Sequence, residues 1–152
     1  MKKVLLISIL LIVFSCRKNK PQPGLYLATF NGTYLNSNNQ ETEFNRAIET
    51  YIVDVNKTEI KFAYTTQSNV SSTLTKDKKS VYGVFNFFYA NPPLGENIKP
   101  SKEIQVKGSW SKTGHKKYSI TGSYTHDLEI VDVNNQTVES YIVNGKFEIK
   151  SK

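Results

Sequence analysis

The chain has 152 residues, a net charge of +7, one cysteine and two histidines. This length suits a single domain whose core holds without disulfide staples, and one cysteine excludes a disulfide within the chain. Two histidines and scattered carboxylates, without the ligand spacing of a zinc site or a calcium loop, predict a chain with no metal site and no cofactor.

The first sixteen residues are arranged like a secretory signal. Lys2 and Lys3 precede an apolar run of about eleven residues, which is shorter than the roughly twenty that a membrane-spanning helix needs. The small residue Ser15 then precedes Cys16. An ordinary cleaved signal is the alternative, but it would more often end in an Ala-x-Ala-like site, which is missing here.

This arrangement resembles the lipobox of bacterial lipoproteins. The resemblance implies that residues 1–15 are removed, that Cys16 is lipidated, and that the lipid attaches the chain to a membrane. In proteobacterial lipoproteins, Asp after the cysteine favours retention at the inner membrane, whereas Arg17 stands at that position here. The resemblance therefore implies a protein of the bacterial cell envelope, at the outer membrane facing the periplasm or displayed on the cell surface.

Basic residues are spread along the chain and not clustered, apart from three short segments, 17–20, 76–79 and 112–117. A basic surface can attract anionic lipid headgroups. The more ordinary interpretation is that these side chains are solvated in loops and on outer strand faces. The sequence contains no nucleic-acid-binding motif, so nucleic acid is not expected as a partner.

Behind the signal, residues 16–24 contain two prolines and a glycine and predict a flexible tether, and residues 25–152 predict a single β domain. Apolar and polar residues alternate there with the period of two that is typical of strands. Strands are predicted over 25–35, 47–55, 58–66, 70–75, 80–90, 102–111, 117–125, 127–133 and 141–150. Residues 36–45 predict a loop or a short helix, and 91–100 a longer loop. The connections indicate an all-β, antiparallel up-and-down meander of about eight or nine strands.

Five of these strands carry a glycine two residues before an aromatic residue, which places both on one face of the strand. The five are Gly32-Thr33-Tyr34, Gly83-Val84-Phe85, Gly108-Ser109-Trp110, Gly122-Ser123-Tyr124 and Gly145-Lys146-Phe147. Such glycines allow the sharp bending that a strongly curved or closed sheet requires. The layout resembles lipocalin-like lipoproteins, in which Trp usually stands at the position of Tyr34. The resemblance implies a β-barrel, and a β-sandwich is the alternative.

A barrel of about eight strands is either filled by side chains or holds one small ligand. The leading expectation is non-catalytic binding of a small apolar or amphiphilic ligand inside the barrel. The residues expected to line the cavity are Tyr34, Phe62, Tyr64, Phe87, Trp110 and Tyr124. Core packing is the simpler interpretation of the same residues. A protein–protein interaction module, such as an inhibitor, immunity or envelope-stress lipoprotein, is the alternative function, with loop 91–100 as its contact segment.

Catalysis is not expected from this sequence. His126 precedes Asp127, and neighbouring strand residues point to opposite faces, so the two cannot form a His–Asp relay. Both histidines are expected at the surface or at a strand end, because a catalytic base needs a positioned partner. No phosphate-binding glycine loop and no nucleophile elbow is present in the sequence.

Overall fold

The computed structural model describes residues 20–88, 101–134 and 136–152, without the side chains of residues 87, 88, 101 and 102. Cys16, the predicted signal and the predicted loop 91–100 lie outside the described residues. The strands are β1 (Gly24–Leu35), β2 (Glu41–Val55), β3 (Glu59–Ala63), β4 (Val70–Asp77), β5 (Ser80–Phe88), β6 (Ser101–Gly114), β7 (Lys117–Val131) and β8 (Thr137–Ser151).

The eight strands form one closed barrel in which neighbours in the chain are neighbours in the wall. β1 pairs antiparallel with β2 on one side and with β8 on the other, and the second pairing closes the ring. The predicted all-β up-and-down meander is confirmed. Closure into a single barrel excludes the alternative of a β-sandwich.

Several strand bounds differ from the sequence-based prediction: β3 ends three residues before the predicted strand 58–66 does, and β8 begins four residues before the predicted strand 141–150. Two further segments differ in kind. The predicted strands 117–125 and 127–133 are one strand, β7, because His126 continues the inward alternation instead of interrupting it. Residues 36–45 are not one loop, since the turn ends at residue 40 and β2 begins at Glu41. Only Phe44 is buried among the first nine residues of β2, so this part of the strand carries little apolar signal.

Four of the five predicted glycines lie opposite one another in the barrel wall. Gly32 of β1 faces Gly145 of β8, and Gly108 of β6 faces Gly122 of β7. A Cβ atom added at any of the four positions would lie under 3.0 Å from a backbone atom of the adjacent strand. The two pairs therefore mark close approaches between neighbouring backbones, which bend the sheet sharply enough for a small barrel to close.

Aromatic side chains fill the middle of the barrel. Phe30 of β1 is fully buried, and its ring centroid lies 5.6 Å from that of Phe85 on β5. The Phe30 ring also lies 5.4 Å from Tyr124 and 6.1 Å from Phe147. Because β1 and β5 stand on opposite sides of an eight-stranded ring, the contact between Phe30 and Phe85 spans the interior. At this level the barrel is packed with side chains.

The barrel has two different ends, because successive connections in an up-and-down meander alternate between ends. The turn end carries the short turns 56–58, 78–79 and 115–116. The loop end carries the connections 36–40, 64–69 and 132–136. These two names are used below.

The described part of the predicted tether packs against the turn end. Pro21 is buried, and the ammonium of Lys20 donates a hydrogen bond to the carbonyl of Val55 at 2.9 Å. The Tyr26 hydroxyl donates to the carbonyl of Gln22 at 2.9 Å. Burial raises the pKa of Tyr26, although the bond to Gln22 lowers it. The chain therefore enters the barrel from the turn end, with no free tether between Lys20 and β1.

Candidate functional site

The inner face of β2 differs from the rest of the wall at the loop end. β3 has only five residues, and its pairing with β2 begins at Tyr51. Within the described chain, residues 41–50 of β2 therefore pair along one edge only, with β1. The side chains of this segment that point inward include Phe44, Arg46 and Ile48.

Arg46 places a cation on this inner face. It stands directly opposite Phe30 in the β1–β2 ladder, so both side chains share the inner face, and it keeps partial contact with solvent. Its guanidinium carbon lies 5.1 Å from the centroid of the Phe44 ring, within cation–π range. Nη1 donates to the carbonyl of Asn45 at 2.8 Å. A planar guanidinium on an apolar wall is suited to bind a carboxylate or a phosphate.

A buried tyrosine and a buried histidine lie beside Phe44. The Phe44 ring centroid is 6.4 Å from that of Tyr124 and 5.5 Å from that of His126. The prediction that His126 lies at the surface or at a strand end is wrong, because it is 1% exposed and faces inward from the middle of β7. Asp127 is exposed on the opposite face, so the argument against a His–Asp relay is confirmed.

The residues predicted to line a cavity are spread over the barrel. Tyr34 and Tyr124 lie in the loop-end half, where Tyr34 packs on Tyr141 with ring centroids 5.2 Å apart. Tyr64 follows the last residue of β3 and is 38% exposed, with its hydroxyl donating to the carbonyl of Asn86 at 3.4 Å. Burial raises the pKa of Tyr64.

Phe62 and Trp110 belong to other parts of the core. Phe62 packs edge-on against Phe85, with centroids 5.3 Å apart. Trp110 lies at the turn end, where its indole Nε1 donates to the carbonyl of Lys78 at 2.8 Å. The side chain of Phe87 lies outside the described residues. The five described residues of the predicted set therefore do not form one site.

Phe44 and Arg46 were not predicted as site residues, because Phe44 falls in the segment 36–45 that predicts a loop or a short helix and Arg46 falls just before the predicted strand 47–55. A weak signal was present in the period-two alternation of Glu43, Asn45 and Glu49 with Phe44 and Ile48, which continues the predicted strand backwards. Arg46 falls on the apolar face of that alternation, and a charged residue there lowers the contrast between the two faces.

An open groove lies on the outer side of the loop end. It has a volume of about 480 Å³ and is lined in part by Leu35, Tyr34, Tyr141 and Ile142. Leu35 and Ile142 are 61% and 62% exposed. β8 pairs with β1 only as far as Asn144, so the groove runs beside a stretch of β8 that is not covered by β1.

Comparisons with protein-family models, with curated proteins and with solved structures find no match to this chain. Among the described residues, no three His, Cys, Asp or Glu side chains are grouped so that they could hold a metal ion. The same part of the chain contains no helix long and apolar enough to cross a membrane. The functional interpretation therefore depends on the geometry of the loop end and on the sequence pattern at Cys16.

Proposed function

We propose that this chain is a non-catalytic, lipid-anchored envelope protein whose barrel binds one small anionic amphiphile at the loop end. The observation that carries the proposal is Arg46, an inward cation between Phe44 and Ile48 where β3 does not extend along β2. Sites for small amphiphiles combine an apolar wall with a few polar groups that orient the ligand. This part of the barrel has that composition.

The packed middle of the barrel sets the depth of the proposed site. Phe30, Phe85 and Tyr124 occupy the interior beside Phe44, so the proposed ligand lies along β2 at the edge that β3 does not cover, beside Arg46 and Ile48. An acyl chain would lie against Phe44 and Ile48, and its acidic group would meet the guanidinium of Arg46. A singly charged amphiphile whose chain leaves the barrel at the loop end fits this arrangement, whereas a chain that passes through the core does not.

Replacement of Arg46 tests the charged part of the site. We expect the chain from Arg17 to Lys152, which contains all eight described strands, to bind the fluorescent fatty acid cis-parinarate. Arg46→Gln should weaken this binding roughly tenfold or more, because a hydrogen bond to a charged group contributes about 1.5–3 kcal/mol. Fluorescence titration measures the dissociation constant. The methyl ester of the same probe should bind both proteins equally, since it carries no charge.

The matched control for Arg46 is Lys107→Gln, which removes one positive charge from an exposed position on the outer wall. Its affinity for cis-parinarate should equal that of the unmodified protein. If both variants lost affinity equally, net charge alone would explain the effect, and the proposed site at Arg46 would be contradicted. Absence of parinarate binding by the unmodified protein would contradict the proposal as a whole.

Lipidation of Cys16 is tested by Cys16→Ser in the full chain, expressed in a bacterial host. The unmodified chain should partition into the detergent phase of a Triton X-114 extraction and carry the mass of its acyl chains. Each buried CH₂ contributes about 0.8 kcal/mol, so two or three chains anchor the protein stably. Cys16→Ser should move the protein to the aqueous phase. A variant that stayed in the detergent phase, or an unmodified chain without acyl mass, would contradict the anchor.

Capture of a protein partner is the second candidate function. The exposed Leu35 and Ile142 beside the outer groove favour it, because apolar patches of this kind often mark binding surfaces. The parinarate titration separates the two candidates, since a partner docked on the outer groove does not require Arg46 inside the barrel.

A further inference from the structure

The turn end of the barrel is strongly basic. It comprises Lys20 and the segments 54–59, 76–79, 112–117 and 150–152, which are the short turns, the adjoining strand residues and the last described residues. Its positive side chains are Lys20, Lys57, Lys76, Lys78, Lys79, Lys112, Lys116, Lys117, Lys150 and Lys152. The same segments contain three carboxylates, those of Asp54, Glu59 and Asp77. Glu49 of β2 pairs with Lys152 and adds a fourth carboxylate, so positive charge exceeds negative charge about two and a half times at this end.

The loop end has the opposite charge. At the loop end, the first residues of β6, 101–103, contain one lysine and one glutamate. The other described segments of this end, 35–43, 64–70, 127–134 and 136–142, contain no lysine or arginine. They contain six carboxylates, those of Glu41, Glu43, Asp127, Glu129, Asp132 and Glu139. The barrel is thus electrostatically polarised along its axis, and a charged planar surface would attract one end and repel the other.

Folding holds the separate basic segments together. The backbone N–H of Trp110 donates to the carbonyl of Lys79 at 2.9 Å, and its indole donates to that of Lys78 at 2.8 Å. The N–H of Lys76 donates to the carbonyl of Thr58 at 2.6 Å. Turn 56–58 is therefore held to the end of β4, and turn 78–79 is held to β6, so the backbones that carry these lysines keep fixed positions next to one another.

The chain also leaves the barrel from this end. Lys20 is bonded to Val55 at the turn end, and Cys16 is only four residues earlier in the chain. Four extended residues span about 14 Å at most. A lipid on Cys16 would hold the basic surface close to the bilayer, at a separation comparable to the Debye length of about 8 Å in physiological salt.

We propose that the turn end is a docking surface for a bilayer of anionic phospholipids, which orients the barrel with its loop end away from the membrane. The orientation rests on the proposed anchor at Cys16, whereas the attraction to anionic lipid does not. Lysine side chains near a negatively charged bilayer each add to binding, and the attraction is screened by salt.

Vesicle cosedimentation tests the surface without the anchor. The chain from Arg17 to Lys152 is mixed with vesicles of phosphatidylcholine alone or with about one-third phosphatidylglycerol, a composition that supplies the anionic surface. We expect binding to the anionic vesicles at low salt, loss of binding as salt is raised, and no binding to phosphatidylcholine alone. No binding to anionic vesicles at low salt would overturn the proposal.

Two double variants with the same net charge test the location. Lys79→Glu with Lys112→Glu removes charge from the turn end, and Lys107→Glu with Lys146→Glu removes it from the side wall, where both lysines are exposed. The first pair should lower the partition coefficient at least roughly tenfold, and the second by less than about threefold. If both pairs lowered the partition coefficient equally, the attraction would depend on net charge alone, and the docking surface at the turn end would be overturned.

Thermal unfolding of all three proteins confirms that they fold. The outcomes also separate this proposal from the anchor. Failure of Cys16→Ser to change membrane partition contradicts the anchor and leaves the vesicle result intact. Failure of the vesicle experiment contradicts the docking surface and leaves the anchor intact.

Discussion

Gly122→Ala is expected to destabilise the barrel severely. The added Cβ would lie under 3.0 Å from the carbonyl oxygen of Lys107 and from Cα of Gly108. These are backbone atoms of β6, so no side chain can turn away to make room. Relief requires that β6 and β7 separate at the close approach of Gly108 and Gly122. We expect the free energy of unfolding to fall by about 3 kcal/mol or more, the upper part of the range for overpacking.

Urea or thermal unfolding followed by circular dichroism measures this loss, which corresponds to a fall in Tm of roughly 10 °C for a chain of this size. Gly114→Ala is the matched control on β6, because a Cβ there would meet only side-chain atoms of Lys117, at 3.7 Å or more. Its Tm should remain close to that of the unmodified protein. Equal effects at the two positions would contradict the close approach of β6 and β7.

Phe30→Ala is expected to lower the free energy of unfolding by a similar amount, but by creating a cavity instead of overpacking. Phe30 is fully buried and contacts the rings of Phe85, Tyr124 and Phe147, which come from three other strands. Removal of this ring leaves a cavity that the rigid wall cannot fill by collapse. The free energy of unfolding should fall by about 3–5 kcal/mol, as for other buried phenylalanines.

Leu35→Ala is the control on the same strand, since Leu35 is 61% exposed at the loop end. It should change the free energy of unfolding by no more than about 0.5 kcal/mol. Equilibrium urea unfolding compares the two variants. If Phe30→Ala cost less than about 1 kcal/mol, the middle of the barrel would not be packed by side chains, and a deep ligand cavity would become the better interpretation.

Most strands could be predicted from the alternation of their residues. β6 and the predicted strand 102–111 agree because Ile104, Val106 and Trp110 alternate with polar residues. The start of β2 was not predicted because it lacks this alternation: polar residues occupy its outer face, and Arg46 occupies its inner face. A period-two signal is lost wherever the inner face is itself polar.

The candidate site was less predictable than the fold. The aromatic residues of the predicted cavity are inside the barrel at Phe62, Trp110 and Tyr124, yet they lie at different levels along it. The alternation of a strand indicates which face a residue occupies. Its height in the barrel depends on the stagger between strands, and this stagger is a property of the closed ring.

The sequence by itself determined that this chain is an all-β meander with glycines at the bends of its strands, and its first sixteen residues predict a lipoprotein signal. These features are local, because alternation, turns and signal layout each depend on neighbouring residues. Only the tertiary structure decided that β1 pairs with β8, where the Thr29 hydroxyl donates to the carbonyl of Glu148, 119 residues away. The same closure placed glycine opposite glycine, put Arg46 on the inner face of the wall and brought the lysine segments together at the turn end. Contacts between residues so far apart depend on strand order and stagger, which short-range patterns do not encode.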